Sequence, residues 1–228
     1  MARNKYPEET VKKILDASLK LFLEKGYENT TVQDIVDHLG GLSKGAIYHH
    51  FKSKEDIFIA ACNYLFSQDP TDGWGIIRDD PTLTAMEKMR ALLFDTIHDP
   101  NEVIFRDIAA GQAGMPRFLA AKLKKSVEVT APTYLQPILE QSAAEGTLQS
   151  SFPKELAQVI LLLVNIWFDA SIFPVSNAEY FRKMLFLMEL CEKYGAKALF
   201  DEELTESIQT NLIQDYNQKL KARQTDGQ

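Results

Sequence analysis

The chain has 228 residues, 45% of them apolar, 25% charged and 10% aromatic, with 11 Gly and 9 Pro, a mixture that excludes collagenous, low-complexity and wholly disordered classes. Apolar runs such as Val159 to Val164 stop at six residues, far short of the ~20 that span a bilayer, and Cys62 and Cys191 form neither a disulfide framework nor a CxxC metal pair. The formal net charge of −7 sits outside residues 1–56, which hold nine basic and nine acidic side chains, and Gly40 to Lys54 carries Lys44, His49, His50, Lys52 and Lys54 with no carboxylate.

In chain order, Met1 to Glu9 is charged and lacks a signal-peptide core, so a cytoplasmic protein without a membrane segment is expected. From Pro7 to Lys25, Val11, Ile14, Leu15, Leu21 and Phe22 recur at helical spacing, and Gly26 stands where a left-handed residue ends a helix. Thr31 precedes a stripe of Val32, Ile35, Val36 and Leu39, with Asp34 placed to complete a cap, so a short second helix is expected there. Gly40-Gly41-Leu42 makes a turn, and Ser43 caps a third helix whose inward residues are Ile47 and Phe51. Ser53-Lys54-Glu55-Asp56 repeats the capping logic and opens a fourth helix through Ile57, Phe58, Ala61 and Leu65.

Beyond this, Ser67 to Pro81 reads as a loop or linker, because Pro70, Gly73, Gly75 and Pro81 punctuate it. Further helices are expected over 82–98, 101–111, 116–128, 132–145, 154–172, 177–198 and 202–221, with breaks at Pro100, Pro116, Pro132, Gly146, Pro153 and Pro174, and with disorder from Lys221 onward. Period-two alternation is missing, so the fold class is all-α.

Two short helices joined by a glycine turn, the second with an exposed cationic and aromatic face, match a helix-turn-helix that reads DNA. With Ile47 and Phe51 inward, Lys44, Gly45, Ala46 and Tyr48 fall on the outer side, where small residues let the backbone approach the bases. Lys44 suits guanine or phosphate, Tyr48 and His49 suit phosphates, Thr31 and Ser43 cap the two helices, Gln33 reaches toward a base, and Lys54 stands ready for a phosphate. A solvated polar face on a helical bundle is the alternative.

The segments Thr30-Thr31-Val32-Gln33-Asp34-Ile35 and Leu42-Ser43-Lys44-Gly45-Ala46-Ile47-Tyr48-His49-His50-Phe51-Lys52-Ser53-Lys54-Glu55-Asp56-Ile57 resemble the DNA-binding domain of the tetracycline-repressor (TetR) family of bacterial transcription regulators, over residues 8–60. Gly40-Gly41 departs from that family's turn, which usually has a single glycine. The resemblance implies a three-helix DNA-binding domain over 1–53 and a helical effector-binding and dimerisation domain over 54–228. It also implies a homodimer formed through residues 154–198, a palindromic operator, and release by a small-molecule effector.

Within the second domain, Phe105 and Tyr134 are candidates to line an apolar effector cavity, with His98, Arg106, Asn165 and Asp169 as its polar groups, although aromatic stripes at helical spacing also make ordinary cores. Asp169 on an apolar helix is a ligand contact, a partner contact or water-facing, since a buried unpaired carboxylate is costly. Adjacent His49 and His50 point about 100° apart on a helix, so no metal or other cofactor is expected. Without a P-loop, a nucleophile elbow or a triad, an enzyme has no motif behind it. A DNA-binding regulator without an effector remains the other alternative.

Overall fold

The computed structural model describes residues 7–67, 73–109, 115–169, 172–173, 175–196, 199 and 206. It is helical, with no strand among the described residues. The chain divides into two compact units, one of residues 1–70 and 100–121 and one of 71–99 and 122–228.

The first unit begins with α1 (Pro7–Lys25), α2 (Val32–Leu39), α3 (Lys44–His50) and α4 (Lys54–Ser67). The inward stripes meet in one core of Ile14, Leu21 and Phe22 from α1, Ile35 from α2, Ile47 from α3, and Ile57, Phe58 and Ala61 from α4. Phe58 is its hub, with ring centroids 5.6 Å from Phe22 and 4.9 Å from Tyr27, spacings at which aromatic pairs attract beyond their area burial. Thr30 is fully buried and closes the end of α1, its hydroxyl donating to Gly26 O at 2.8 Å and lying 3.3 Å from Leu21 O. The same core takes in Ile108 of α7 (Pro100–Ala109) and Phe118 of α8 (Pro116–Lys125). Phe118 meets Phe58 at 5.1 Å. The packing unit is therefore larger than the segment 1–53 delimited from the sequence.

In the second unit, α5 (Gly73–Asp79) occupies part of the stretch expected to be a loop. Side chains outside it account for this difference: Trp74 Nε1 donates to Asp95 Oδ2 at 2.8 Å, its ring meets Tyr134 at 5.4 Å, and Arg78 donates to Thr133 O at 2.9 Å. The next helix, α6 (Ala85–His98), starts with a reciprocal cap of Thr84 and Glu87. Lys88, 5% exposed, donates to Arg78 O at 2.7 Å and Gln141 Oε1 at 2.8 Å, tying α5 and α6 to α9 (Gln136–Ala144).

The break expected at Pro132 does not occur. The helix runs on from α8 through a π-helical stretch, Ser126–Leu135, into α9, and Gln136 N–H bonds back to Ala131 O, five residues earlier. An α-helix has no room for a proline ring beside the carbonyl four residues back, whereas wider π turns omit that contact. A second π stretch, Leu163–Trp167, continues α10 (Pro153–Leu162) and ends with Phe168 N–H on Leu163 O at 3.0 Å. Ser176 and Glu179 form a reciprocal cap for α11 (Asn177–Lys193). Apart from Glu206, the expected 202–221 helix and the expected disorder from Lys221 lie outside the described residues.

Candidate DNA-binding surface

Thr31 opens α2 as expected: its hydroxyl accepts Asp34 N–H at 3.1 Å, and Asp34 Oδ2 accepts Thr31 N–H at 2.8 Å. Lys25 adds an ion pair to Asp34 at 3.0 Å. The Thr31 hydroxyl, the Lys25 ammonium and the Thr31 N–H together hold the Asp34 carboxyl far below the usual carboxylate range. At the other end, Gly40 takes a φ of 62° and bonds Val36 O at 3.1 Å, a left-handed cap that suits glycine. Gly41 has no positive φ, and a Cβ there comes only within 3.9 Å of Leu39 O. The doubled glycine thus meets one conformational demand, at Gly40.

Ser43 caps α3 by accepting Ala46 N–H at 3.2 Å. Ile47 is fully buried and Phe51 is 9% exposed, which orients the helix about its axis. Lys44, Gly45, Tyr48 and His49 are exposed and Ala46 is half-buried; Tyr48 keeps 46% of its surface open. A bare tyrosine, a lysine and a glycine edge on a short helix form a surface that donates hydrogen bonds and admits close backbone approach. Thr31, Gln33 and Ser43 are exposed too. Gln33 is partly committed, its Nε2 donating to Asp37 Oδ1 at 2.8 Å.

Lys54, expected at a phosphate, makes contacts within its own unit. Its ammonium donates to Tyr27 O at 2.8 Å, lies 3.4 Å from Glu28 O and sits 4.0 Å from the Tyr27 ring centroid. It therefore ties the start of α4 to the turn that follows α1. The exposed Lys52, at the corner between α3 and α4, is absent from the candidates drawn from the sequence; its place in the carboxylate-free run is the signal that points to it.

The effector candidates fall in both units. Phe105 packs in the first unit against Phe118, at 6.3 Å, while the Arg106 side chain lies outside the described residues. In the second unit, His98 is exposed and stacks on Phe94 at 4.1 Å, and Tyr134 lies against Trp74 and Arg78. Asn165 and Asp169 do come together with a polar pair on the facing helix: Asn165 donates to Ser126 Oγ at 3.2 Å, and Asp169 pairs with Lys122 at 2.7 Å. Among the described residues, no group of three or more His, Cys, Asp or Glu side chains could hold a metal, and no helix is long and apolar enough to cross a membrane.

Capped short helices, a buried stripe and an outward cationic face define a helix-turn-helix DNA-binding domain. Residues 14–61 match the family of bacterial regulatory proteins of the tetR type. The chain is 33% identical over 99 residues to the uncharacterized HTH-type transcriptional regulator YerO of Bacillus subtilis, covering 42% of this chain and 34% of that protein. It is 34% identical over 116 residues to the HTH-type transcriptional repressor KstR2 of Mycobacterium tuberculosis, covering 46% and 54%. It thus spans between a third and about half the length of these curated relatives. Its fold is shared with the crystal structure of a putative TetR-family transcriptional regulator from Mesorhizobium loti, at a TM-score of 0.57 and 20% identity over 84% of this chain and 100% of that one. Residues 14–61 thus carry a DNA-binding domain of the TetR type.

Proposed function

We propose that the protein is a homodimeric transcription repressor that reads a palindromic operator with α3 and is released by a small-molecule effector. The observation that carries the reading is the exposed surface of α3: Lys44, Gly45, Tyr48 and His49 are open to solvent with no acid among them, while Ile47 is fully buried. The repressor sign is supported by the name of the relative KstR2.

Dimerisation is supported by apolar side chains left in solvent on α10 and α11: Val159 at 46%, Phe181 at 37%, Leu185 at 48% and Phe186 at 50% exposed. Pairing these faces about a two-fold axis buries them and provides two recognition helices, which read a palindrome when set ~34–36 Å apart. The effector is proposed to act near Asn165 and Asp169, beside two π-helical stretches of the kind that recur at functional sites. A ligand releases DNA only if it binds the two conformations with different affinity. The second reading, a regulator without an effector, is favoured by the internal pairing of Asn165 with Ser126 and of Asp169 with Lys122.

The test is selection of duplexes from random-sequence DNA by the purified protein, followed by titration of a Lys44→Ala, Tyr48→Ala double variant against the selected duplex. Both side chains are exposed, so the variant is expected to keep its melting midpoint and to bind at least about tenfold more weakly. Wild-type affinity in the double variant refutes α3 as the reader.

A further inference from the structure

Arg117 lies far beyond the segment that carries the DNA-binding helices, yet it packs on them. Near the start of α8, its guanidinium donates to Asp56 Oδ1 at 2.6 Å and to Glu55 Oε2 at 3.3 Å. Both acids stand in the first turn of α4. The second Asp56 oxygen accepts the Lys52 N–H at 3.1 Å, and the Asp56 N–H donates to Ser53 Oγ at 3.0 Å. One carboxylate therefore joins Arg117 to the backbone of the corner that follows α3. Phe118, 5% exposed, anchors the same end of α8 against Phe58. The Arg117 hydrogen bond is the leading cause that draws the Asp56 carboxyl below its ordinary range, and the guanidinium is raised in return. A planar fork spanning two carboxylates is a geometry that arginine meets and lysine does not.

We propose that Arg117 is a positioning residue for DNA binding: through Asp56 it holds the Phe51–Ser53 corner, which aims α3 and presents Lys52. The inference rests on the DNA-binding reading above and adds to it a residue outside the helix-turn-helix. With seven residues, α3 is too short to keep its orientation by its own helical stability. Its N-terminal end is fixed by Ser43 and its C-terminal end by Phe51 and the Lys52–Asp56 bond. The Arg117 side chain is 60% exposed, so its ion pairs contribute little to global stability. A small rotation of α3, by contrast, misaligns several base and phosphate contacts together. Loss of Arg117 thus weakens DNA binding out of proportion to its effect on folding.

The experiment uses the full chain and the duplex that the wild-type protein selects from random-sequence DNA. Wild type, Arg117→Ala and Arg117→Lys are titrated by fluorescence anisotropy between about 50 and 200 mM salt, and their melting midpoints are read by circular dichroism. Arg117→Ala is expected to bind about tenfold more weakly, with an unchanged salt slope and a midpoint within about 2 °C of wild type. Arg117→Lys is expected to recover part of the loss, because it restores the charge without the fork. Unchanged affinity in Arg117→Ala overturns the proposal. So does a salt slope shallower by about 0.9, the mark of a direct phosphate contact, and so does a midpoint drop large enough to explain the lost affinity. Should Arg117→Ala not fold, Arg117→Lys decides: binding weakened severalfold supports the proposal, and wild-type binding overturns it. A wild-type protein that selects no duplex refutes the DNA-binding reading itself and removes this inference with it, a result distinct from a variant that matches wild type.

Discussion

Lys54 separates a structural cation from a DNA-reading one. Replacing it with Met keeps the aliphatic stem and removes the ammonium that donates to Tyr27 O at 2.8 Å and sits 4.0 Å from the Tyr27 ring. A hydrogen bond from a charged donor contributes about 1.5–3 kcal/mol, and a cation over an exposed aromatic ring about 0.5–1 kcal/mol. Lys54 is half-buried and water can reach the freed carbonyl, so the lower part of that range applies, about 2 kcal/mol. For a chain of this length the loss lowers the melting midpoint by roughly 4–8 °C. Thermal unfolding followed at 222 nm, beside anisotropy titration of a selected duplex at several salt concentrations, checks it. Lys44→Ala is the control with the opposite signature: an exposed lysine with a midpoint near wild type and a salt slope shallower by about 0.9. If Lys54→Met keeps its midpoint and shows that shallower slope instead, its ammonium serves phosphate and the reasoning fails.

At Gly195, φ is 100° and an added Cβ runs into the Thr147 carbonyl oxygen, so Gly195→Ala is expected to cost about 2–4 kcal/mol in urea unfolding; Gly41→Ala, where a Cβ makes only an ordinary contact and φ is not positive, is expected to be neutral or slightly stabilising, and equal midpoints for the two variants refute the assignment. Cap and ion-pair hydrogen bonds hold Asp34, Asp56, Glu87 and Glu179 below their ordinary values. Below about pH 4 the unfolded chain takes up protons that these folded carboxylates still refuse, so their contribution is complete above that pH and lost beneath it. A urea midpoint that stays flat down to pH 3 contradicts this. Leu185→Asp places a charge in the face proposed for pairing and is expected to yield monomers in sedimentation velocity at micromolar concentration; a dimer that survives it pairs elsewhere.

The first unit was legible because its signals are local. Thr31 with Asp34, Ser43 with Ala46, and the Ile47/Phe51 spacing each lie within one helical turn, and the same short-range physics that a reader applies to the sequence sets the geometry in the fold. Where the structure departs from the sequence expectation, long-range contacts outweigh local preference. The Gly73–Asp79 segment carries two glycines, and its helix is stabilised by Trp74 on Asp95 and Arg78 on Thr133, partners 21 and 55 residues away. Pro132 is a helix breaker only while the helix keeps a four-residue bond pattern, and the chain shifts to five.

The same distinction governs the functional residues. Composition reports that Lys44, Lys52 and Lys54 lie in one acid-free run, but it does not report which ammonium groups face solvent. Lys54 folds back onto the carbonyls of the turn that follows α1, while Lys44 and Lys52 remain exposed. Asp56, read from the sequence as a helix cap, is also the acceptor for a guanidinium from α8, so an acid that lowers the local positive charge also ties down the corner that follows α3. A count of charges near the recognition helix therefore misjudges both residues, and in opposite directions. Lys54 adds to the count although its ammonium is already engaged, whereas Asp56 subtracts from it while holding in place the corner on which Lys52 stands.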